Sequence, residues 1–183
     1  MLLRIKFLIL LLLAMAGAAY AGHLDPGANF PDAELNGDLT DGQRRYLGLK
    51  GDGPWKISDI DAGYVLVEIF SMYCPHCQKE APETNLLYTK LLKAGKSGKI
   101  VMIGVGVGNS QFETDFFRDK YAVQFPLFPD PELKIHADVG GPGTPCFYLV
   151  EKDGAELRTV FSHEGRMGGM ETFLDKLKKV IGK

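Results

Sequence analysis

Two cysteines separated by two residues are the strongest chemical signal in this 183-residue chain, in the stretch Cys74-Pro75-His76-Cys77. The stretch follows an apolar run that predicts a buried strand, and it begins a pattern that predicts a helix. At a helix N-terminus the first backbone N–H groups have no acceptor within the helix, and the macrodipole favours negative charge. A thiolate at Cys74 would be stabilised there, so we expect its pKa to lie below the ordinary value of a thiol. The chemistry that this predicts is thiol–disulfide exchange, in which Cys74 attacks and Cys77 resolves the mixed disulfide.

The two residues between the cysteines have expected roles of their own. Pro75 suits the first position of a helix, because the N–H group that it lacks would have had no partner there. It is also a candidate for contact with the substrate. His76 would stabilise the Cys74 thiolate further if its imidazole were protonated or directed toward the sulfur.

A carboxyl group precedes the cysteine pair inside the predicted strand. Glu68 is the only acidic or basic residue in the run from Tyr64 to Phe70. A buried carboxylate without a partner is unfavourable, so the pKa of Glu68 should be raised, and the group could exchange a proton with Cys77. The alternative is that this strand lies at a sheet edge and Glu68 is solvated.

The dipeptide Thr144-Pro145 is the third feature. It begins a predicted strand and follows a glycine-rich turn that contains Gly140, Gly141 and Gly143. Such a position could hold a cis peptide bond, although most X–Pro bonds are trans.

The elements that must position these residues follow from hydrophobic periodicity and turn signals. Strands are predicted over 64–70, 100–107, 146–151 and 157–162, with a turn at Lys152-Asp153-Gly154 between the last two. Helices are predicted over 75–94, over 111–121 with Ser110 as the cap, and over 169–181; 125–128 is read as extended and 131–138 as a helical turn. Alternating strands and helices followed by a hairpin and a helix predict an α/β domain with a mixed sheet.

The first 21 residues have the pattern of a secretory signal peptide. Arg4 and Lys6 precede an apolar run over 7–16, and Ala19-Tyr20-Ala21 provides the small residues of a cleavage site. An uncleaved N-terminal anchor is the alternative. We therefore expect a periplasmic or secreted protein, in a compartment where disulfides persist.

Residues 22–43 are expected to be an irregular, partly disordered segment before a domain over 44–183. The net charge of −2 argues against nucleic acid as a partner.

The combined motif resembles the thioredoxin superfamily. The matching residues are Glu68, Phe70, Cys74, Cys77, Pro82 and the Thr144-Pro145 pair. The resemblance implies that Glu68 is a buried proton acceptor, that Pro82 kinks the active-site helix, and that the Thr144–Pro145 bond is cis and faces the disulfide. The segment before Thr144 is similar to the insertion of the TlpA/ResA type of extracytoplasmic proteins. Glu80 matches an acidic residue near their active site, although a solvated helix residue is the simpler interpretation.

This resemblance implies a monomer that exchanges electrons with cysteine-containing extracytoplasmic proteins, which dock over Thr144 and Pro145. A membrane or soluble thiol protein would be the electron partner, and no bound cofactor is expected because the cysteine pair is the redox centre. Reduction, as in cytochrome c maturation, is the leading role. The stretch from Phe70 to Cys77 resembles the disulfide donor DsbA, so oxidation is the alternative.

The sequence also allows two alternative functions and two roles for the third cysteine. A thiol peroxidase would share the fold and fits Ser71-x-x-Cys74, but Val67 stands where its motif has proline. A metal chaperone could use Cys74, His76 and Cys77, but a structural zinc site has four ligands, so no metal site is expected. Cys146, the third cysteine, is either a small buried residue or a modulator of the redox pair.

Overall fold

The computed structural model describes residues 22–94, 100–154 and 156–182, so the predicted signal peptide over 1–21 lies outside the described residues. Within these ranges, none of the helices is long and apolar enough to span a bilayer. The strands are β1 (Glu34–Leu35), β2 (Trp55–Lys56), β3 (Tyr64–Phe70), β4 (Ile100–Val107), β5 (Leu127–Asp130), β6 (Cys146–Asp153) and β7 (Glu156–Glu164). The α-helices are α1 (Asp41–Leu47), α2 (Pro75–Lys93), α3 (Gln111–Tyr121), α4 (Lys134–Asp138) and α5 (Met170–Ile181).

The main sheet has five strands in the order β5-β4-β3-β6-β7. Strand β3 is parallel to β4 and antiparallel to β6, so it has a neighbour on each side. The sheet is mixed and flanked by helices, which confirms the predicted thioredoxin-like α/β fold. The segment expected as an insertion before Thr144 forms β4, α3, β5 and α4. The continuous apolar sequences of β3 and β4 are explained by burial on both faces.

Each face of the sheet has its own hydrophobic core, because successive side chains of a strand point to opposite faces. Leu66 and Phe70 of β3 pack with residues of α2, α3 and α5. Val65, Val67 and Ile69 pack on the other face, against the N-terminal segment and α4. Glu68 has the same parity as Leu66, so its side chain belongs to the face that α2 covers.

The interpretation of residues 22–43 as an irregular segment outside the domain is wrong. This range contains β1, which pairs with β2, and the N-cap of α1, where the Thr40 side chain accepts a hydrogen bond from the Gln43 N–H. Phe30, Leu35 and Leu39 are buried in the second core. The physical reason is that α4, with five residues, is too short to cover this face of the sheet alone.

The apolar residues of α2 and α3 are divided between the core and the surface. Leu87 and Phe117 are among the buried ones. Their apolar neighbours at helical spacing face solvent instead. The exposed members are Leu86, Leu92, Phe112 and Phe116.

The buried position of β1 predicts that the N-terminal segment stabilises the domain. Leu35→Ala should lower the free energy of unfolding by about 2–5 kcal/mol, because it removes a side chain that is 0% exposed and leaves a cavity. Leu86→Ala is the matched control, since Leu86 is 51% exposed and its loss should change stability by no more than about 0.5 kcal/mol. Urea unfolding followed by circular dichroism measures both, and equal values for the two variants would contradict the packing described above.

Candidate active site

The junction between β3 and α2 positions the cysteine pair. Cys74 is the N-cap of α2, and its sulfur accepts a hydrogen bond from the Cys77 N–H at 3.5 Å. Pro75 takes the first helical position, as its missing N–H predicts. The preceding loop is fixed because the Met72 N–H donates to Asn109 Oδ1 at 2.8 Å. The sequence prediction that the motif begins a helix directly after a buried strand is confirmed.

The half-buried thiol of Cys74 has a lowered pKa. Burial raises this pKa, but hydrogen bonds from the Thr144 hydroxyl and from the backbone N–H groups of Cys77 and His76 outweigh the effect of burial. The sulfur also lies 3.1 Å from the Thr144 carbonyl oxygen, to which the thiol form donates. His76 is exposed, and its contact with Cys74 comes from the backbone instead of the imidazole that the sequence suggested.

Cys77 differs from Cys74 in both its burial and its pKa. Its side chain is fully buried, and burial raises the pKa of the thiol well above its ordinary value. The negative charges of Glu68 and Cys74 raise it further, whereas a hydrogen bond with the Ser71 backbone acts in the opposite direction. The pair therefore combines an accessible sulfur that ionises readily with a buried sulfur that keeps its proton.

The Glu68 carboxyl is buried in the centre of the sheet, on the face toward α2. Only 3% of this residue is exposed, and the central position of β3 excludes the edge-strand alternative. Burial, followed by the negative charge of Glu80, raises the pKa of Glu68 to about 8. The sequence expectation of a buried carboxyl with a raised pKa beside Cys77 is confirmed.

The interpretation of Glu80 as a solvated helix residue is wrong. Its side chain is 1% exposed and forms an ion pair with Arg166. The Met167 N–H donates to its other carboxylate oxygen at 2.8 Å. Arg166 and Met167 were missed by sequence reasoning because they lie 86 and 87 residues away and belong to no local motif.

The Thr144–Pro145 peptide bond is cis, as the resemblance implied. The loop that contains it lies against the nucleophile, because the Thr144 carbonyl is the group that Cys74 contacts. A second cis bond, between Gly53 and Pro54, was not anticipated and lies beside β2, away from the cysteine pair.

Cys146 lies on the opposite face of the sheet from Cys77. It is paired with Ile69 in the β3–β6 register and belongs to the core that the N-terminal segment covers. Burial raises the pKa of its thiol to about 11, and a hydrogen bond with Tyr148 opposes this rise. The sheet therefore separates this thiol from Cys77, which supports its interpretation as a small buried residue.

The structure brings together the main residues singled out from the sequence. Hydrogen bonds join Cys74 to Cys77 and to Thr144, and the charge of Glu68 acts on Cys77. Among the residues in the described ranges, no three His, Cys, Asp or Glu side chains are grouped so that they could hold a metal ion.

The raised pKa of Glu68 predicts a specific pH dependence of stability. Because the folded state binds the Glu68 proton more tightly than the unfolded state, its contribution to stability is complete below pH 4.5 and is lost as the pH rises to about 8. Glu68→Gln cannot titrate, so relative to the wild type it should gain a few kcal/mol of stability between pH 5 and pH 8. Urea unfolding of both proteins at several pH values checks this, and a difference that does not vary with pH would contradict the buried carboxyl.

Comparison with known proteins gives a consistent result. A model of the AhpC/TSA family matches residues 26–161. The thiol-disulfide oxidoreductase ResA of Geobacillus thermodenitrificans (strain NG80-2) is 25% identical over 158 residues, which cover 83% of this chain and 82% of that protein. ResA of Bacillus thuringiensis (strain Al Hakam) is 24% identical and covers 95% of this chain and 96% of its own length.

Solved structures show the same fold. A thiol:disulfide interchange protein from Bacteroides sp. has a TM-score of 0.62 at 18% identity, covering 87% of this chain and 92% of that one. The thioredoxin domain of a thiol-disulfide oxidoreductase from Bacteroides vulgatus has a TM-score of 0.59 at 18% identity, covering 85% and 97%. The family match extends from before β1 to within β7 and includes the cysteine pair, Glu68, Glu80 and the cis-proline loop, so the chain belongs to the AhpC/TSA family.

Proposed function

We propose that this protein is a thiol–disulfide oxidoreductase of the ResA type that reduces disulfides in extracytoplasmic proteins, as in cytochrome c maturation. The observation that carries the proposal is the asymmetry of the cysteine pair. Cys74 is accessible and has a lowered pKa, whereas Cys77 is buried and has a raised one. An attacking thiolate next to a protected resolving thiol is the arrangement that exchange requires.

The reaction transfers two electrons to the substrate, and the two substrate sulfurs take up their protons from water. The Cys74 thiolate attacks one sulfur of the substrate disulfide, so that a mixed disulfide forms and the other substrate sulfur leaves as a thiolate and takes up a proton. Cys77 then gives its proton to Glu68 in those molecules in which Glu68 is ionised, and it attacks the Cys74 sulfur. The mixed disulfide breaks, the second substrate thiolate leaves and is protonated, and the Cys74–Cys77 disulfide remains.

Glu68 suits the proton transfer step because its pKa, about 8, lies close to neutral pH. Both protonation states of such a group are populated at working pH, which is the condition for an efficient acid–base catalyst. Glu68 accepts the Cys77 proton when the substrate is reduced and returns it when the pair is reduced again. The redox centre is the cysteine pair itself, so the reaction as written uses no bound cofactor.

The cis-proline loop is the proposed docking site for the substrate polypeptide. The Cys74 sulfur contacts the Thr144 carbonyl, so a substrate sulfur joined to Cys74 would bring its own chain alongside Thr144 and Pro145. Pro75 and His76 are exposed on the other side of the sulfur and extend this surface. In this proposal the protein acts as a monomer outside the cytoplasm after loss of residues 1–21, and a membrane or soluble thiol protein reduces the pair again.

Oxidation of substrate thiols is the second candidate direction. It is favoured by the Pro75-His76 dipeptide, which resembles that of DsbA, and by the lowered pKa of Cys74. A stabilised thiolate favours the reduced form of a pair and so makes its disulfide more oxidising. The high pKa of Cys77 limits this effect, because only one of the two sulfurs is stabilised as a thiolate.

The proposed mechanism predicts that Cys74 is indispensable and that Cys146 is not. Cys74→Ser should lose essentially all insulin reduction with dithiothreitol as the electron source, because it removes the attacking sulfur. Cys146→Ala is the matched control and should keep the wild-type rate, since the sheet separates this thiol from the pair. Full activity of Cys74→Ser would overturn the proposed function, and inactivity of a folded Cys146→Ala would place the third cysteine in the reaction.

The reduction potential of the Cys74–Cys77 couple decides the direction of electron flow. For a reductant we expect a value near that of thioredoxin, about −270 mV, when the couple is equilibrated with glutathione buffers and followed by thiol alkylation. A value near about −120 mV, as in DsbA, would replace the proposed reductant with an oxidant. The double variant Cys74→Ser/Cys77→Ser should show no redox-dependent change in alkylation and serves as the control.

A further inference from the structure

We propose that Arg166 is a positioning residue that determines which of two buried carboxyl groups, Glu68 or Glu80, carries the proton next to Cys77. Arg166 lies in the loop between β7 and α5. The match to the AhpC/TSA family model ends at residue 161, before this loop. The inference rests on the proposed function, because it assigns a role inside the same site.

The contacts of Glu80 favour its ionised form. Each of its carboxylate oxygens faces an N–H donor, Nε of Arg166 on one side and the Met167 backbone on the other. A protonated carboxyl would point its own O–H at one of these donors, whereas a carboxylate accepts both hydrogen bonds. The carboxyl of Glu80 is 1% exposed, so these two contacts replace the water that it has lost.

The loop that contains Arg166 is held by contacts with β7 and with α2. The His163 ring, through Nε2, lies 2.9 Å from the Arg166 carbonyl oxygen. One turn beyond Glu80 in α2, the Glu83 carboxylate accepts a hydrogen bond from the Met170 N–H at 2.9 Å. The loop therefore has little freedom to move, and the guanidinium of Arg166 is fixed in front of Glu80 even though 46% of the Arg166 side chain is exposed.

A fixed negative charge on Glu80 determines whether Glu68 is protonated. Two neighbouring carboxyl groups in a buried site do not both ionise easily, because each negative charge disfavours the other. With Glu80 held as the anion, the proton remains on Glu68, whose pKa is raised to about 8 by burial and by the Glu80 charge. Glu68 is therefore protonated in most molecules below about pH 8, and its ionised fraction is the form that accepts the Cys77 proton.

The other groups around Glu68 do not compete for this role. In the sheet, Glu68 is paired with Gly104 of β4 and Phe147 of β6, and neither residue titrates. From α2, the charge of Glu80 raises the pKa of Glu68, and the charge of Glu68 in turn raises the pKa of Cys77. Arg166 supplies the positive charge that contacts this cluster.

Removal of the Arg166 guanidinium should move the proton from Glu68 toward Glu80. Without Arg166, a buried Glu80 carboxylate would be left without its countercharge, which is strongly unfavourable. Glu80 would then take up a proton at the expense of Glu68. Glu68 would then be partly ionised at a pH where it is protonated in the wild type.

The test is a carboxyl titration of the reduced protein by NMR, with glutamate labelled with ¹³C at Cδ. Glu68→Gln identifies the Glu68 signal by its disappearance. The wild-type signal should titrate near pH 8. In Arg166→Gln the same signal should titrate in two steps, the first at least about one pH unit below the wild-type midpoint. An unchanged midpoint, or one that moves to higher pH, would overturn the proposal.

Three further proteins complete the test. Arg158→Gln is the matched control, because Arg158 forms an exposed ion pair with Glu156 on β7, and it should leave the Glu68 midpoint in place. In a Glu80→Gln background, Arg166→Gln should add no further shift, because the residue acts through Glu80. A shift as large as in the wild-type background would overturn the proposal. If Arg166→Gln does not fold, Arg166→Lys should keep the high midpoint, whereas a lowered midpoint in this charge-conserving variant would contradict the role of the positive charge.

This measurement is independent of the proposed function. The titration is read in the reduced protein without substrate, so it reports on the buried carboxyl pair whether or not the protein reduces insulin. Loss of the proposed function would be recognised by full activity of Cys74→Ser, which leaves the Glu68 signal to be judged separately.

Discussion

The removal of Glu68, Glu80 and Cys77 from water is the constraint on which the rest of the site depends. All three groups lie between β3 and α2, in a layer that consists mostly of apolar side chains. Burial disfavours the charged form of each group, and their mutual repulsion allows only one negative charge at low energy. Arg166 and the Met167 N–H make Glu80 the group that carries this charge. The protonated states of Glu68 and Cys77 follow from that pairing.

The other face of the same sheet is covered by the N-terminal segment and β2. Phe30, Leu35 and Trp55 cover the face that carries Val65, Val67 and Ile69. β3 is therefore buried on both faces, and its central place in the sheet leaves Glu68 on the face that α2 covers.

The parts of the site that depend on neighbouring residues in the chain could be predicted from the sequence. The strand–loop–helix order around Cys74, the burial of Glu68 and the cap at Ser110 all depend on residues within one or two elements. The parts that were missed depend on long-range packing. The Glu80–Arg166 pair joins α2 to a loop 86 residues later, and an acidic residue on a helix has the same sequence pattern whether it is solvated or buried. Likewise, the spacing of Phe30 and Leu35 has no period, because they cover a sheet face without belonging to a long element.

The order of the two chemical steps follows from the same charges. In the reduced protein, the charge on Cys74 is one of the causes that raise the pKa of Cys77. When Cys74 attacks a substrate, its sulfur becomes part of a neutral mixed disulfide, and this cause disappears. The pKa of Cys77 then falls toward that of Glu68, so proton transfer between them becomes easier after the substrate is attached. The buried thiol is thus kept protonated while the site is free and becomes a nucleophile when there is a mixed disulfide for it to resolve.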